Sequence, residues 1–166
     1  MKKIIICALC AICGFTTANA QKFGHVNSQE VIQAMPEFTK ARTEIEALTK
    51  QYEADLKLMQ EELQKKSEAY DKEQATLPAN IKQRREQELQ EMYQKIQQSY
   101  QDNQQALAKE QQEKMQAITT KVLDAIKQVG TAGNYVYIMD LTSGIPYIST
   151  TLSTDVTAEV KKKLGL

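Results

Sequence analysis

Only one histidine, His25, is available in this sequence of 166 residues for acid–base or metal chemistry. It lies beside a predicted strand, so we interpret it as structural or solvated. Neighbouring carboxylates such as Glu61 and Glu62 could act as a general acid and base, but on a charged helix they are typical of a solvated face. The sequence has no GxxxxGK[ST], GxGxxG, HExxH or GxSxG motif. We therefore predict no enzyme, no cofactor and no metal site.

The N-terminal residues have the pattern of a targeting segment. Lys2 and Lys3 precede an apolar run from Ile4 to Phe15, and Ala18-Asn19-Ala20 forms a small-x-small site. This pattern predicts a secretory signal peptide over residues 1–20. The apolar run is shorter than the roughly 20 residues that a membrane span needs. All three cysteines lie in this segment, so the mature chain has no disulfide and no thiolate: Cys7, Cys10 and Cys13.

The charge balance limits the classes of partner. The sequence has 21 basic and 21 acidic residues, and removal of Lys2 and Lys3 leaves 19 basic residues. A chain that is neutral, or slightly acidic after processing, does not bind nucleic acid through bulk positive charge. The mean hydropathy of −0.50 is too low for a membrane protein.

The middle of the chain, residues 36–129, is predicted to be helical. It lacks glycine and is rich in Gln, Glu, Lys, Ala and Leu, which are good helix formers. Apolar residues recur at steps of three and four, which predicts an amphipathic helix with a narrow apolar seam. The predicted seam residues are Phe38, Ala41, Ile45, Leu48, Tyr52, Leu56, Met59, Leu63, Leu89, Met92, Ile96, Tyr100, Asn103, Leu107, Ile118, Val122, Ala125 and Val129.

Pro78 interrupts this helical region near its midpoint, because proline cannot donate a backbone hydrogen bond and disfavours helix at the preceding residue. We predict an antiparallel hairpin with its tip near residues 77–80. Such a hairpin sets Leu63 near Ile96 and Met59 near Tyr100. The alternative is one continuous helix, kinked at Pro78, that forms a rod-shaped dimer.

The two ends of the chain are predicted to form a small head, from residues 21–35 and 130–166. The fold class is therefore mainly α with a small β head into which the hairpin arm is inserted. Three short strands of this size are marginally stable alone, so we expect oligomerisation through the head. The predicted strands are Phe23–Asn27, Asn134–Asp140 and Ile145–Ser149, with Gly130 and Gly133 ending the second arm helix. The predicted helix caps are Ser28 and either Asp155 or Thr157.

This arrangement resembles the Skp/OmpH family of periplasmic chaperones over essentially the whole mature chain. The hairpin alone is unspecific, since any coiled coil would match it, and the two ends carry the resemblance. The matching segments are Gly24-His25-Val26-Asn27, Pro36-Glu37, Tyr135 to Asp140, Pro146-Tyr147, and Asp155 to Val160 with Leu164.

The resemblance implies a jellyfish-like homotrimer, in which three heads form a β-barrel-like base and three arms surround a cavity. Members of the family hold unfolded outer-membrane proteins in this cavity without ATP. The best-known members are strongly basic, whereas this chain is near neutral, which leaves a larger share of client capture to apolar and glutamine contacts.

Some residues are candidates for contact with such partners. Leu58, Tyr70 and Tyr93 are candidates for client binding, because they are apolar and do not clearly belong to the seam. Lys161–Lys163 either contact anionic lipid or lipopolysaccharide or complement the negative end of the last helix. The candidates for trimerisation are Phe23, Val26, Tyr135, Tyr137, Ile138, Tyr147 and Ile148.

A second function fits the same residues. A long arm on a self-associating base is also typical of a structural coiled-coil spacer, or of an envelope adaptor that binds one folded partner. The sequence leaves both functions open.

Overall fold

A computed structural model of the chain describes residues 21–166, so the predicted signal peptide lies outside the described residues. The fold is mainly helical with one three-stranded sheet, which confirms the predicted fold class. A short 3-10 helix, Leu141–Ser143, follows the second strand. The elements in chain order are β1 (Lys22–Val26), α1 (Ser28–Ala34), α2 (Pro36–Glu73), α3 (Ala79–Ala132), β2 (Tyr135–Asp140), β3 (Ser153–Asp155) and α4 (Thr157–Lys163).

The two long helices form the antiparallel hairpin. They contain 38 and 54 residues, which at 1.5 Å per residue gives lengths of about 55 and 80 Å. Pro36 begins α2, where its missing N–H would be unbonded in any case. The chain reverses between Glu73 and Ala79, and Pro78 immediately precedes α3. The alternative of one continuous kinked helix is therefore wrong.

The three strands of the head are all parallel, and β1 is the central one. Phe23 pairs with Tyr137 of β2 on one side and with Ser153 of β3 on the other. The N-terminal strand therefore joins two strands that come from the opposite end of the chain.

The position of the third strand was predicted wrongly. Residues 145–149, including Tyr147 and Ile148, have no regular structure, and β3 is formed by Ser153–Asp155. Gly144 adopts a left-handed conformation with φ of 72°, and Pro146 has no N–H for a ladder. Of the three residues of β3, only Thr154 is of a type that is typical of strands, whereas Ser153 and Asp155 are not.

Gly130 was also interpreted wrongly as a helix stop. Helix α3 continues through it to Ala132, and Gly133 with Asn134 ends the helix. Asn134 has a φ of 56°, a left-handed conformation that asparagine tolerates. A Cβ on Gly130 would lie 3.3 Å from Cδ1 of Ile138, so glycine here allows β2 to approach the helix closely.

The core of the head combines residues from both ends of the chain. Val26 of β1 packs with side chains of α1, α4 and the last turns of α3, and all of these are nearly inaccessible to solvent. A register irregularity at the start of the β1–β2 pairing skips Val136, which allows both Tyr135 and Ile138 to pack against this core. The core residues are Val26, Val31, Ile32, Met35, Ile118, Val122, Ala125, Val156 and Val160.

The carboxylate of Asp140 links the end of β2 to the start of α1. The hydroxyl of Ser28 donates to Asp140 Oδ2 at 2.5 Å, and the Thr142 N–H donates to Oδ1 at 3.1 Å. Ser28 is therefore not the cap of α1. The cap is Asn27, whose Oδ1 accepts the backbone N–H of Glu30 at 3.1 Å. Burial would raise the pKa of Asp140, but these hydrogen bonds outweigh it and hold the pKa below its usual value.

The carboxylate of Asp155 links the end of β3 to the start of α4. Its Oδ1 accepts the backbone N–H of Thr157 at 2.9 Å and the Thr157 hydroxyl at 2.6 Å. The Thr157 hydroxyl oxygen in turn accepts the N–H of Asn27 at 3.0 Å, which links the two ends of the chain.

We predict that Asp140→Asn reduces the pH dependence of stability in acid. The folded pKa of Asp140 lies below the unfolded value, so its stabilising contribution is present above about pH 4 and is lost as the pH falls through the folded pKa. Urea unfolding at pH 7 should show a clear loss of stability for Asp140→Asn relative to the unsubstituted chain. At pH 2.5 the difference should shrink.

The matched control is Asp124→Asn, which changes an exposed aspartate on α3. It should alter the urea midpoint little at either pH. A deficit of Asp140→Asn that is equal at pH 7 and pH 2.5 would contradict the role of the ionised carboxylate.

Candidate functional site

The two helices of the arm meet in a half-buried apolar seam. The side chains that the sequence assigns to this seam are at least half-buried, with one exception. Tyr100 is 55% exposed, and Ser99 takes its place between Ile96 and Asn103. The prediction of Tyr100 as a seam residue is therefore wrong, because the seam follows steps of three and four residues through Ser99.

Polar contacts between the two helices are concentrated at the two ends of the arm. Near the head, Lys121 donates to Glu37 at 2.9 Å and Lys114 to Glu44 at 2.7 Å. Near the tip, the corresponding contact joins Lys66 to Glu88 at 2.8 Å. Each lysine holds the pKa of its glutamate partner below the usual value, mainly through the hydrogen bond.

These ion pairs are exposed, so they contribute little free energy each and are screened by salt. Their effect is to fix the register of the hairpin. Within the described chain, no side-chain hydrogen bond or ion pair joins α2 and α3 across residues 45–65 and 89–113. The central part of the arm is held by the seam alone, and Ser99 and Asn103 interrupt the apolar side chains of that seam.

The three residues predicted to contact clients lie in different surroundings. Leu58 is 64% exposed on α2, and Tyr93 is 51% exposed on α3. Tyr70 is half-buried near the tip, and its hydroxyl donates a short hydrogen bond to Glu86 across the hairpin. This hydrogen bond is the main reason that the pKa of Tyr70 is raised to about 12. Tyr70 is therefore engaged within the arm, whereas the other two side chains are free at the surface.

Tyr93 belongs to an uncharged strip along α3. Tyr100, Gln104 and Gln111 follow it by 7, 11 and 18 residues, which at 100° per residue places each of them within about 20° of Tyr93 around the helix. All four side chains are exposed. The strip is about 27 Å long from Tyr93 to Gln111, and it joins aromatic surface to amide groups that can donate and accept hydrogen bonds.

The strip leads to an apolar groove at the base of the arm. The walls are formed by Phe38, Ala41 and Ile45 of α2 and by Met115 of α3. Arg42, Glu46, Gln111 and Lys114 surround its opening.

A second hollow lies on the other side of the seam, and most of the residues that line it are charged, among them Glu37, Glu44 and Lys121. Ala41 and Lys114 border both hollows and so mark the seam between them. The two sides of the arm therefore differ. The ion pair Glu37–Lys121 lies on the side of the second hollow, the groove lies on the other side, and Lys114, which is paired with Glu44, lies between the two.

The predicted trimerisation residues divide into three groups. Val26 is 1% exposed, and Tyr135 and Ile138 pack against the core of the same chain. Phe23 and Tyr137 stack on the opposite face of the sheet, with their ring centroids 4.9 Å apart. Of the two in the irregular segment, Tyr147 is 79% exposed and Ile148 is half-buried.

Five further exposed apolar residues of the head were missed from the sequence, two of which, Leu141 and Leu166, are 38% and 41% exposed. Val136, Met139 and Leu152 are 56%, 43% and 76% exposed. Strand alternation would have signalled Met139, which lies two residues from Tyr137. Val136 is exposed because of the register irregularity, which no sequence pattern indicated.

His25 makes a single side-chain contact of chemical interest. Its Nδ1 lies 2.9 Å from Ser153 Oγ on the open face of the sheet, and Asp155 pairs with His25 in the strand register. The Asp155 carboxylate serves the start of α4, so it does not orient the imidazole as in a catalytic triad. In the part of the chain that the structure describes, no three His, Cys, Asp or Glu side chains are grouped to hold a metal ion.

Two further observations concern membranes. Among residues 21–166, no helix combines the length and the apolar character that crossing a bilayer requires. Lys161 donates to Glu30 of α1 at 2.6 Å, so one of the three C-terminal lysines is engaged within the head.

Comparison with known proteins gives consistent results. The chain matches the family described as outer membrane protein (OmpH-like) over residues 22–164. It is 25% identical over 154 residues to a chaperone protein Skp of Yersinia enterocolitica, covering 93% of this chain and 92% of the relative. It is 23% identical over 145 residues to a chaperone protein Skp of Pectobacterium atrosepticum, covering 87% and 86%.

A solved structure has the same fold. The crystal structure of a putative outer membrane chaperone (OmpH-like) from Caulobacter crescentus superposes with a TM-score of 0.75 at 16% identity. The match covers 87% of this chain and 83% of the other. At this identity the likeness concerns the fold alone.

We predict that one tyrosine of the folded chain ionises near pH 12, because of the hydrogen bond from Tyr70 to Glu86. Titration followed by tyrosinate absorbance should show this late step. Glu86→Gln should move it towards pH 10, the usual range of tyrosine. Circular dichroism recorded in parallel checks that the hairpin stays folded.

Tyr70→Phe identifies the residue, because it should remove the late step and leave the other tyrosines unchanged. If the late step persists in Tyr70→Phe, the tip contact does not exist in solution.

Proposed function

Because the chain belongs to the family of Skp and OmpH-like outer membrane chaperones, we propose that it is an ATP-independent holdase of the periplasm. It binds unfolded outer-membrane β-barrel proteins between its arms and prevents their aggregation. Export depends on the signal peptide over residues 1–20, which is cleaved from the mature chain. The head comprises residues 21–35 and 130–166, and the arm comprises residues 36–129.

The observation that carries this proposal is the form of the arm. Two long helices leave a large surface open to solvent, and one face of it presents the uncharged strip of Tyr93, Tyr100, Gln104 and Gln111. Aromatic and amide groups suit an unfolded chain, which exposes both apolar side chains and unpaired backbone groups. Many weak contacts of this kind give avidity and remain reversible.

The head supports assembly into a homotrimer. Strand β2 is at the edge of the sheet, with exposed apolar side chains at Val136, Tyr137 and Met139. The other edge is β3, so the two edges differ and head-to-tail pairing between copies forms a closed ring. Three heads closed in this way place three arms around one cavity.

Electrostatic attraction contributes less to client capture in this chain than it would in a chain with a basic surface. Lysines 66, 114 and 121 of the arm are paired with glutamates. Any contact with anionic lipid or lipopolysaccharide falls to Lys162 and Lys163, because Lys161 is paired with Glu30. We therefore propose that apolar and amide contacts capture the client, and that lipid contact is peripheral.

We predict that Tyr137→Glu converts the trimer to monomers. Tyr137 is 49% exposed in the single chain, so the substitution should leave the protomer folded but bring a charge into the contact between heads. Sedimentation equilibrium at micromolar concentration should give three times the mass of one chain for the unsubstituted protein and one chain mass for the variant.

Leu123→Glu is the control, because Leu123 is 58% exposed on α3. It should remain trimeric. A monomer for the unsubstituted chain, or a trimer for Tyr137→Glu, would contradict assembly through this face.

The proposed function predicts that the mature chain suppresses aggregation of a denatured β-barrel protein. Light scattering after dilution of the barrel protein from urea should fall to near baseline at about one trimer per client, with or without ATP. An adaptor for one folded partner would give no suppression and would retain a single folded protein in a pull-down. A folded trimer that leaves the scattering unchanged would refute the holdase.

A further inference from the structure

We propose that the groove at the base of the arm is a socket for one large apolar side chain of an extended, uncharged segment of the bound chain. The groove is the one lined by Phe38, Ala41, Ile45 and Met115. This inference rests on the proposed function, since the occupant is part of an unfolded client. It assigns a defined subsite to a surface that would otherwise contact clients without preference.

The size of the groove fits one aromatic ring. Its volume is about 190 Å³, and an apolar cavity of about 150 Å³ is sufficient to bind benzene. The walls combine an aromatic ring, two aliphatic side chains and a methionine thioether, which adapts its shape to the ligand and contacts ring edges favourably. A phenylalanine or leucine side chain would bury apolar surface here without any change in the hairpin.

The charges around the opening favour an uncharged occupant. Arg42 is paired with Glu46 at 2.9 Å. Lys114 is paired with Glu44 at 2.7 Å and with Glu110 at 3.0 Å. The charged groups at the rim therefore already have partners of opposite sign, and a charged ligand would lose hydration without gaining a free counter-charge.

The position of the groove favours an extended segment. Gln111 forms part of the rim and also ends the strip that begins at Tyr93. A chain whose side chain occupies the groove can therefore continue along about 27 Å of aromatic and amide surface, over which glutamine side chains can bond its backbone. The second hollow across the seam, where Glu37, Glu44 and Lys121 meet, is not lined by any residue of this strip.

Methionine methyl groups report on the groove directly. The mature chain, labelled with ¹³C in its methionine methyl groups, is titrated with a twelve-residue peptide of Gly, Ser and Thr that has one central Phe. The Met115 signal should shift and saturate, while those of Met59 and Met92, which lie in another hollow, should stay in place. Peptides with Ala or Glu at the centre should bind at least tenfold more weakly.

Gln111→Phe tests the site without removing a wall. The new ring can fold into the groove from an exposed position and should weaken binding of the Phe peptide at least tenfold. Gln112→Phe is the matched control, because the neighbouring exposed residue lies about 100° around the helix. The proposal is overturned if Met115 does not respond, or if both variants behave alike. It is also overturned if Gln111→Phe changes the sedimentation mass, since the groove would then be a contact between subunits.

The aggregation assay on the same preparations separates the two proposals. Suppression by the unsubstituted chain with an unresponsive Met115 signal removes the socket alone. A saturable Met115 response without suppression supports the socket and removes the holdase.

Discussion

Strand β1 is the element on which the rest of the structure depends. It is five residues long, yet both of its neighbours in the sheet come from the opposite end of the chain. Its buried Val26 packs in a core to which α1, α3 and α4 all contribute. The carboxylates of Asp140 and Asp155 and the hydroxyl of Thr157 connect the same segments. Both helices of the arm start from this core, so its packing determines where the arm begins and in which direction it leaves.

The arm is held together by fewer contacts than the head. Its core is one row of side chains wide, and its polar contacts between helices are confined to the base and the tip. The base therefore has a fixed register and a defined groove, whereas the middle relies on a seam interrupted by Ser99 and Asn103. The uncharged strip extends over this middle part. Surface that suits a variable ligand thus lies where the hairpin has the fewest constraints of its own.

The helices could be predicted from the sequence because the repeat of apolar residues and the absence of glycine extend over many turns. Tyr100 was misplaced because the residue that follows Ile96 in the seam can lie three or four positions further along the helix. The step of three leads to Ser99 and the step of four to Tyr100, and a tyrosine is more typical of a seam than a serine. Strand β3 was missed because it is defined by backbone pairing with β1, and the types of its three side chains do not indicate a strand. Its neighbours Ile145 and Tyr147 look more like a strand than it does.

The candidate sites could be predicted only in part. Exposure of Leu58 and Tyr93 follows from their positions off the seam, whereas the bond from Tyr70 to Glu86 depends on the register at the tip. The groove joins Phe38 with Met115, which are far apart in the sequence and meet only because the hairpin closes. Likewise, a local irregularity in strand pairing turned Val136 outwards. Features set by register or by distant pairs are not encoded in any local pattern.

The central place of β1 has a consequence for how the chain folds. β1 is made first and has no partner until β2 appears, more than a hundred residues later. Bringing such distant segments together from a disordered chain is entropically unfavourable and slow. The hairpin shortens this search. Contacts between α2 and α3 near the tip at Pro78 join residues that are close in the sequence, and each further contact towards the head then adds only a small increase in sequence separation. When zipping reaches Glu37 and Lys121, the two ends of the chain are already neighbours. We infer that the arm acts as the guide for assembly of its own head.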